Sequence, residues 1–162
     1  GDEGSGFWIG VRAIREVLRG ADGRAPATAL KESLFEHFAI AEASQILHAV
    51  YDGEFPRHHV AKFAARVEEA ALAGDGVAQR ILATAAEELT LAARSVIGRL
   101  RLEEGGYDVV LSGGTFAAVP TLAENVSRKL ETPRARIRRL EEEPALGAVR
   151  LAIEGLKRGD NR

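Results

Sequence analysis

Two glycine-rich stretches carry side chains that could do chemistry. The first, Gly1-Asp2-Glu3-Gly4-Ser5-Gly6, sets two carboxylates among three glycines. Glycines permit positive φ and close approach of backbone to a ligand. Asp2 and Glu3 can accept hydrogen bonds from hydroxyls or hold a cation. Ser5 can cap the helix that follows, whose free N–H groups favour an anion. Taken alone, the same residues also read as a flexible leader ending in an ordinary N-cap. The second stretch, Ser112-Gly113-Gly114-Thr115, follows a hydrophobic run and precedes a helical pattern. In open α/β sheets ligands bind beyond the carboxyl ends of strands, and paired glycines there let a flat base or a phosphate reach the backbone. The pair would serve equally as a plain tight turn. It matches neither a Walker loop nor the six-residue dinucleotide fingerprint.

The remaining reactive side chains point to less. Of the four histidines, His37, His48, His58 and His59, only the last two adjoin. Adjacent helical residues point about 100° apart, and no HEXXH spacing occurs, so the histidines read as surface or cap residues rather than zinc ligands. Arg134, Arg136, Arg138 and Arg139 form the densest basic run, but Glu141-Glu142-Glu143 neutralises it and no aromatics interleave for stacking. The run therefore predicts an exposed or edge strand guarded by charge, not a nucleic-acid surface. No Ser/His/Asp or Cys/His set is legible.

These residues sit in a chain of 162 residues, about one domain, long enough to bury a single core. A net charge of -2 gives no basic surplus for nucleic acid. The absence of cysteine leaves no disulfide frame, thiolate-zinc knot or cysteine-ligated iron–sulfur cluster in this segment. No signal peptide or long uncharged apolar run is present, so the expected setting is cytoplasmic, without a membrane. With no methionine, even at position 1, the chain is expected to be a single domain, 1–162, cut from a longer protein.

Periodicity predicts helices first. Ser5 to Gly20 carries Trp8, Val11, Ile14 and Leu18 at three- and four-residue spacing. Thr28 can cap a second helix through Leu30, Leu34 and Phe38; a third runs through Ile46, Leu47 and Val50 to Asp52-Gly53. A fourth spans Val60 to Leu72 with Phe63, Val67 and Ala71, before Gly74-Asp75-Gly76, where Asp75 can cap the next. That next helix, striped by Val77, Ile81, Ala85, Leu89, Ala92, Val96 and Leu100, would run about 26 residues, roughly 39 Å. The last third changes character. Tyr107 to Ser112 predicts a buried parallel strand, Pro120 opens a helix with Leu122, Val126 and Leu130, and Arg134 to Leu140 can form a second strand. Pro144 opens a final helix through Leu146, Val149, Ile153 and Leu156, closed by Lys157-Arg158-Gly159. The expected fold class is α/β, predominantly helical, with at least two parallel strands at about 107–112 and 135–140. Two strands make a poor sheet, so further strands are expected upstream of Gly1.

Several segments together resemble the C-terminal half of an N-acetylglucosamine kinase of the BadF/BadG/BcrA/BcrD ATPase family, within the actin-like sugar-kinase superfamily. They are Gly1 to Gly10 (GDEGSGFWIG), Val67-Glu68-Glu69-Ala70 with Ala73-Gly74-Asp75, Leu111 to Phe116 (LSGGTF) and Glu143 to Ala148 (EPALGA). The resemblance implies a partial ribonuclease-H-like lobe of a two-lobe enzyme, with its N-terminal lobe missing from this chain. It implies that Asp2 contacts a sugar hydroxyl with Glu3 supporting the loop, and that Gly4, Ser5 and Gly6 pack close to the sugar. Gly113, Gly114 and Thr115 match the loop bordering adenosine. Lys62, Phe63, Ala64 and Ala65 match the helix start over the adenine, and Gly147 and Ala148 would allow close helix packing near the same cleft.

The implied activity is ATP- and Mg2+-dependent phosphorylation of an amino sugar, N-acetylglucosamine or glucosamine. The phosphate loops and the general-base aspartate would lie upstream, leaving the segment inactive alone, and a homodimer is compatible with the family. Two alternatives stand beside this. One is the ATP-driven activator of a CoA-ester dehydratase or reductase, whose iron–sulfur cluster needs cysteines this chain lacks. The other is a non-catalytic nucleotide-sensing helical module, which would not need the acidic pair beside a glycine loop.

Overall fold

The computed structural model describes residues 1–42, 45–46, 55–140 and 142–158. Their order is α1 (Gly6–Ala21), α2 (Leu30–Phe38), α3 (Arg57–Lys62), α4 (Ala64–Leu72), α5 (Gly76–Arg99), a 3-10 turn (Leu102–Glu104), β1 (Tyr107–Leu111), α6 (Gly114–Ala118), α7 (Pro120–Leu130), β2 (Ala135–Arg139) and α8 (Pro144–Arg158). The chain is mainly helical with one parallel strand pair, as the change of periodicity after Gly106 predicts. Most of the expected third helix, with His48 and the Asp52-Gly53 break, lies outside the described residues; Ile46 is described and fully buried. Glu141 and Gly159 also lie outside them.

Helix α5 is the spine. Its first half buries Val77, Ile81 and Ala85 as expected and packs on α4, while α7 lies along it further on. Its second half turns a different face inward: Thr90 and Ile97 are buried, and Val96 and Leu100 are exposed. A straight helix drifts against a strict repeat, so one stripe cannot face one partner over 24 residues.

Helix α1 corrects the expected stripe more sharply. Ile9, Ala13 and Val17 are buried with Gly6 and Gly10, whereas Val11 is exposed and Trp8 and Leu18 are half-buried. The glycines mark the closest approach. A Cβ on Gly10 would stand 2.2 Å from the Val60 carbonyl oxygen, so α1 and α3 cross with backbone against backbone.

The single helix expected over Val60 to Leu72 is two. At Phe63 the amide bonds back three residues to the Val60 carbonyl, a tightened turn that ends α3 and starts α4. Phe63 itself is fully buried with Leu34, Leu30 and Val67. Thr28 does help start α2, its hydroxyl accepting from the Leu30 amide, although Ala29 occupies the cap position.

Asp75 does more than the cap predicted for it. One carboxylate oxygen accepts from the Val77 and Ala78 amides, and the other accepts from the Thr28 hydroxyl and the Ala29 amide. One side chain thus closes the starts of two helices. Burial pushes its pKa up, but these four hydrogen bonds outweigh burial and hold it below the ordinary aspartate value.

Strands β1 and β2 pair in parallel, Tyr107 opposite Ala135 through Leu111 opposite Arg139. Strand β1 is not the buried strand expected of it: Leu111 is buried, but Val110 is 50% exposed. On the open face Asp108 pairs with Arg136 at 3.0 Å and with Arg138, so the arginine run is the charged strand its alternation predicts. Ala135 and Ile137 turn toward α7.

Candidate functional site

The two glycine-rich stretches, more than a hundred residues apart in sequence, touch in the fold. The Gly6 amide donates to the Thr115 hydroxyl oxygen at 3.1 Å. Ser5 is the N-cap of α1, its hydroxyl oxygen accepting from the Trp8 amide at 3.1 Å. The same hydroxyl donates to Asp2 Oδ1 at 3.0 Å, and the Asp2 carbonyl accepts from the Ser5 amide. The stretch is therefore a folded loop, not a loose leader. Asp2 and Glu3 are exposed at its surface.

Gly4 and Gly6 are buried, and their glycine identity answers to the chain's own packing. Gly4 has φ +80, and a Cβ there would meet Leu89 Cγ at 2.5 Å and the Ala85 carbonyl at 2.8 Å, both on α5. A Cβ on Gly6 would meet the Thr115 hydroxyl at 3.0 Å and the Ala61 carbonyl at 3.2 Å.

The second loop is open by contrast. Gly113 has φ +111, a conformation that favours glycine, and neither it nor Gly114 has any atom within 4 Å of an added Cβ. Beside it, at the carboxyl ends of both strands, lies a cleft of about 410 Å3 lined by Leu111, Gly113, Phe116, Ala117, Arg139 and Leu140. That volume suits a small organic ligand. Helix α4 packs on α6; Ala65, on the first turn of α4, is half-buried, and Lys62 is exposed at the end of α3.

Two residues in this region are invisible to sequence reasoning. Arg57, on the first turn of α3, reaches Asp2 Oδ2 at 3.0 Å and lies over the Phe7 ring, 3.9 Å from its centroid. Glu68 on α4 is 4% exposed, and its carboxylate accepts from the Thr121 amide at 2.9 Å and from the Thr121 hydroxyl. The start of α7, with Pro120 first and no side-chain cap of its own, is capped from α4 instead. Only the Val67-Glu68-Glu69-Ala70 segment of the family pattern pointed at Glu68, without a role. Nothing in local sequence marks Arg57, because its partner lies 55 residues away.

Other expectations are corrected. Nothing lies within 4 Å of a Cβ on Gly147, and residues 142–154 are exposed, so α8 makes no close packing near the cleft. His58 is exposed as expected, but His37 and His59 are half-buried. Each presents Nε2 to the other's carbonyl oxygen, at 3.1 and 3.3 Å, with Phe38 and Phe63 against the rings. Among the described residues no three His, Cys, Asp or Glu side chains gather as a cation site. None of the described helices is long and apolar enough to cross a membrane.

A strand–helix–strand unit with an open glycine loop at its strand ends, bonded to a second glycine loop at a helix start, defines an α/β module of the kind that receives ligands at its strand termini. The chain belongs to the BadF/BadG/BcrA/BcrD ATPase family, which it matches over residues 1–152. It is 28% identical over 154 residues to the N-acetylmuramic acid/N-acetylglucosamine kinase of Clostridium acetobutylicum, a match covering 94% of this chain and 50% of that protein. It is 30% identical over 161 residues to the N-acetyl-D-glucosamine kinase of Dictyostelium discoideum, covering 97% of this chain and 50% of that one. The chain spans about half the length of the curated relatives it matches.

Proposed function

We propose that this chain is the C-terminal lobe of an ATP-dependent kinase that phosphorylates an amino sugar, N-acetylglucosamine or glucosamine. In this reading the Gly1–Gly6 loop grips the sugar and the Gly113–Thr115 loop borders the adenosine. The observation that carries it is the Gly6–Thr115 hydrogen bond, which joins the two loops that would hold the two substrates. Phosphoryl transfer asks the protein chiefly for positioning and electrostatic stabilisation, so two substrate loops in contact are the arrangement it needs.

Asp2 is the sugar-facing group. It is half exposed, and each of its oxygens holds one protein donor, leaving further lone pairs for sugar hydroxyls. Gly4 and Gly6 shape the loop, and Glu3 stands beside it. The strand-end cleft has the volume and the apolar Phe116 and Leu140 surfaces to take a base, with Gly113 and Gly114 leaving room for the ribose. Mg2+ would arrive with the nucleotide phosphates; the described residues supply no cluster for it. The phosphate loops and the general base belong to the other half of the enzyme.

The test is a double dissociation in the full-length protein. Asp2→Asn is expected to raise the sugar KM roughly tenfold and leave ATP binding intact, because a charge-assisted hydrogen bond contributes about 1.5–3 kcal/mol. Gly114→Leu is expected to do the reverse, weakening ATP measured by calorimetry more than sugar. The chain itself has space for a side chain at 114, so a lost ATP affinity would report the ligand rather than misfolding. Unaltered constants for every sugar tested would end the sugar-loop reading.

A further inference from the structure

We propose that Arg57 is the positioning residue of the candidate sugar loop, holding the Asp2 carboxylate in the orientation that receives the sugar; this rests on the sugar-loop reading above. Three observations converge on it. Arg57 Nη2 donates to Asp2 Oδ2 at 3.0 Å while the Ser5 hydroxyl donates to Oδ1 at 3.0 Å, so both oxygens are anchored from the protein side. The guanidinium is itself fixed, its carbon lying 3.9 Å from the centroid of the Phe7 ring. A planar cation stacked on an aromatic face loses little further freedom when it bonds a carboxylate. Finally, the distance between the two elements is set by backbone contact. Gly10 on α1 meets the Val60 carbonyl on α3, one turn beyond Arg57, with no room there for a side chain on α1.

Magnitude separates orientation from stability. Arg57 is 70% exposed and Asp2 50%, and such pairs add at most about 1 kcal/mol to folding. A pair this open does little for the fold. What it does is keep one carboxylate rotamer populated before a ligand arrives, which lowers the ordering cost of binding.

The experiment compares Arg57→Gln and Arg57→Lys in the full-length protein, each alone and with Asp2→Asn. Steady-state kinetics with N-acetylglucosamine and ATP are read beside the thermal midpoint. Arg57→Gln is expected to raise the sugar KM about threefold to tenfold, leaving the ATP KM and the midpoint unchanged. Arg57→Lys should fall between, since it keeps the charge and loses the planar stack. In the Asp2→Asn background Arg57→Gln should add less than about twofold, because a residue acting through Asp2 has nothing left to position. An Asp2→Asn phenotype beside a silent Arg57→Gln, or losses that multiply, would overturn this proposal alone. An Asp2→Asn variant with no sugar phenotype would overturn the sugar-loop reading and this proposal with it.

Discussion

Helices α7 and α8 begin alike and end differently. Each opens on a proline, at Pro120 and Pro144, and each carries apolar residues at three- and four-residue spacing. On α7 the pattern is cashed in burial: Leu122, Val126 and Leu130 are at most 3% exposed against α5 and β2. On α8, Leu146, Val149, Ile153 and Leu156 are 47–73% exposed. The same periodicity therefore predicts a face and not its partner. Amphipathicity is a property of one helix; burial is a property of two.

Truncating one leucine in each helix tests that difference directly. In the 162-residue chain, Leu122→Ala is expected to cost about 2–5 kcal/mol of unfolding free energy, read by denaturant titration. Leu146→Ala is expected to stay within about 0.5 kcal/mol, as surface changes do. Equal losses would mean that α8 packs as tightly as α7, and the comparison would fail.

A smaller effect belongs to the helix starts. Asp75→Ala removes the side-chain cap of α5 and the bonds to Thr28 and Ala29 together, with an expected loss of about 1–3 kcal/mol. Before α8, Glu142 pairs with Arg150 at 2.9 Å with both side chains more than half exposed, and such open pairs add little, so a substitution in the Glu142-Glu143 segment should leave the unfolding midpoint nearly where it was. The smallest effect is a pH dependence confined to the helical body. Burial lowers the His37 pKa below the ordinary histidine value of about 6.5. The unfolded chain then takes up a proton that the folded chain refuses, so this contribution is intact above pH 6.5 and is lost as pH falls through the folded pKa. Unfolding titrations between pH 7.5 and 5 should show the decline, and His37→Gln should flatten it.

What was legible in the sequence was local. Ser5 and Asp75 announce helix starts because a cap acts within three residues, and Leu30, Leu34 and Phe38 announce a face because their spacing repeats with the helical turn. The parallel pair was legible from the apolar run at Tyr107–Leu111 and the alternation at Ala135–Arg139. The inner face of α1 was not, because Gly6 and Gly10 count for nothing on a hydrophobicity scale yet mark where backbones meet. The break at Phe63 escaped as well, since nothing in its neighbours breaks a helix. In the candidate site both glycine loops could be read, while Arg57 and Glu68 could not. Their partners, Asp2 and Thr121, lie 55 and 53 residues away, and only the fold brings them together.

Because one carboxylate closes the first turns of both α2 and α5, those two helix ends share a single opening reaction. In hydrogen-exchange terms the Ala29, Val77 and Ala78 amides are expected to open together, although 46 residues separate Ala29 from Asp75 in the chain. Proton uptake by Asp75 weakens both ends at once, and because its hydrogen bonds hold its pKa below the ordinary aspartate value, the joint persists further into acid than an unpartnered aspartate would allow. At that joint acid acts on a seam between two helices and not on either helix alone.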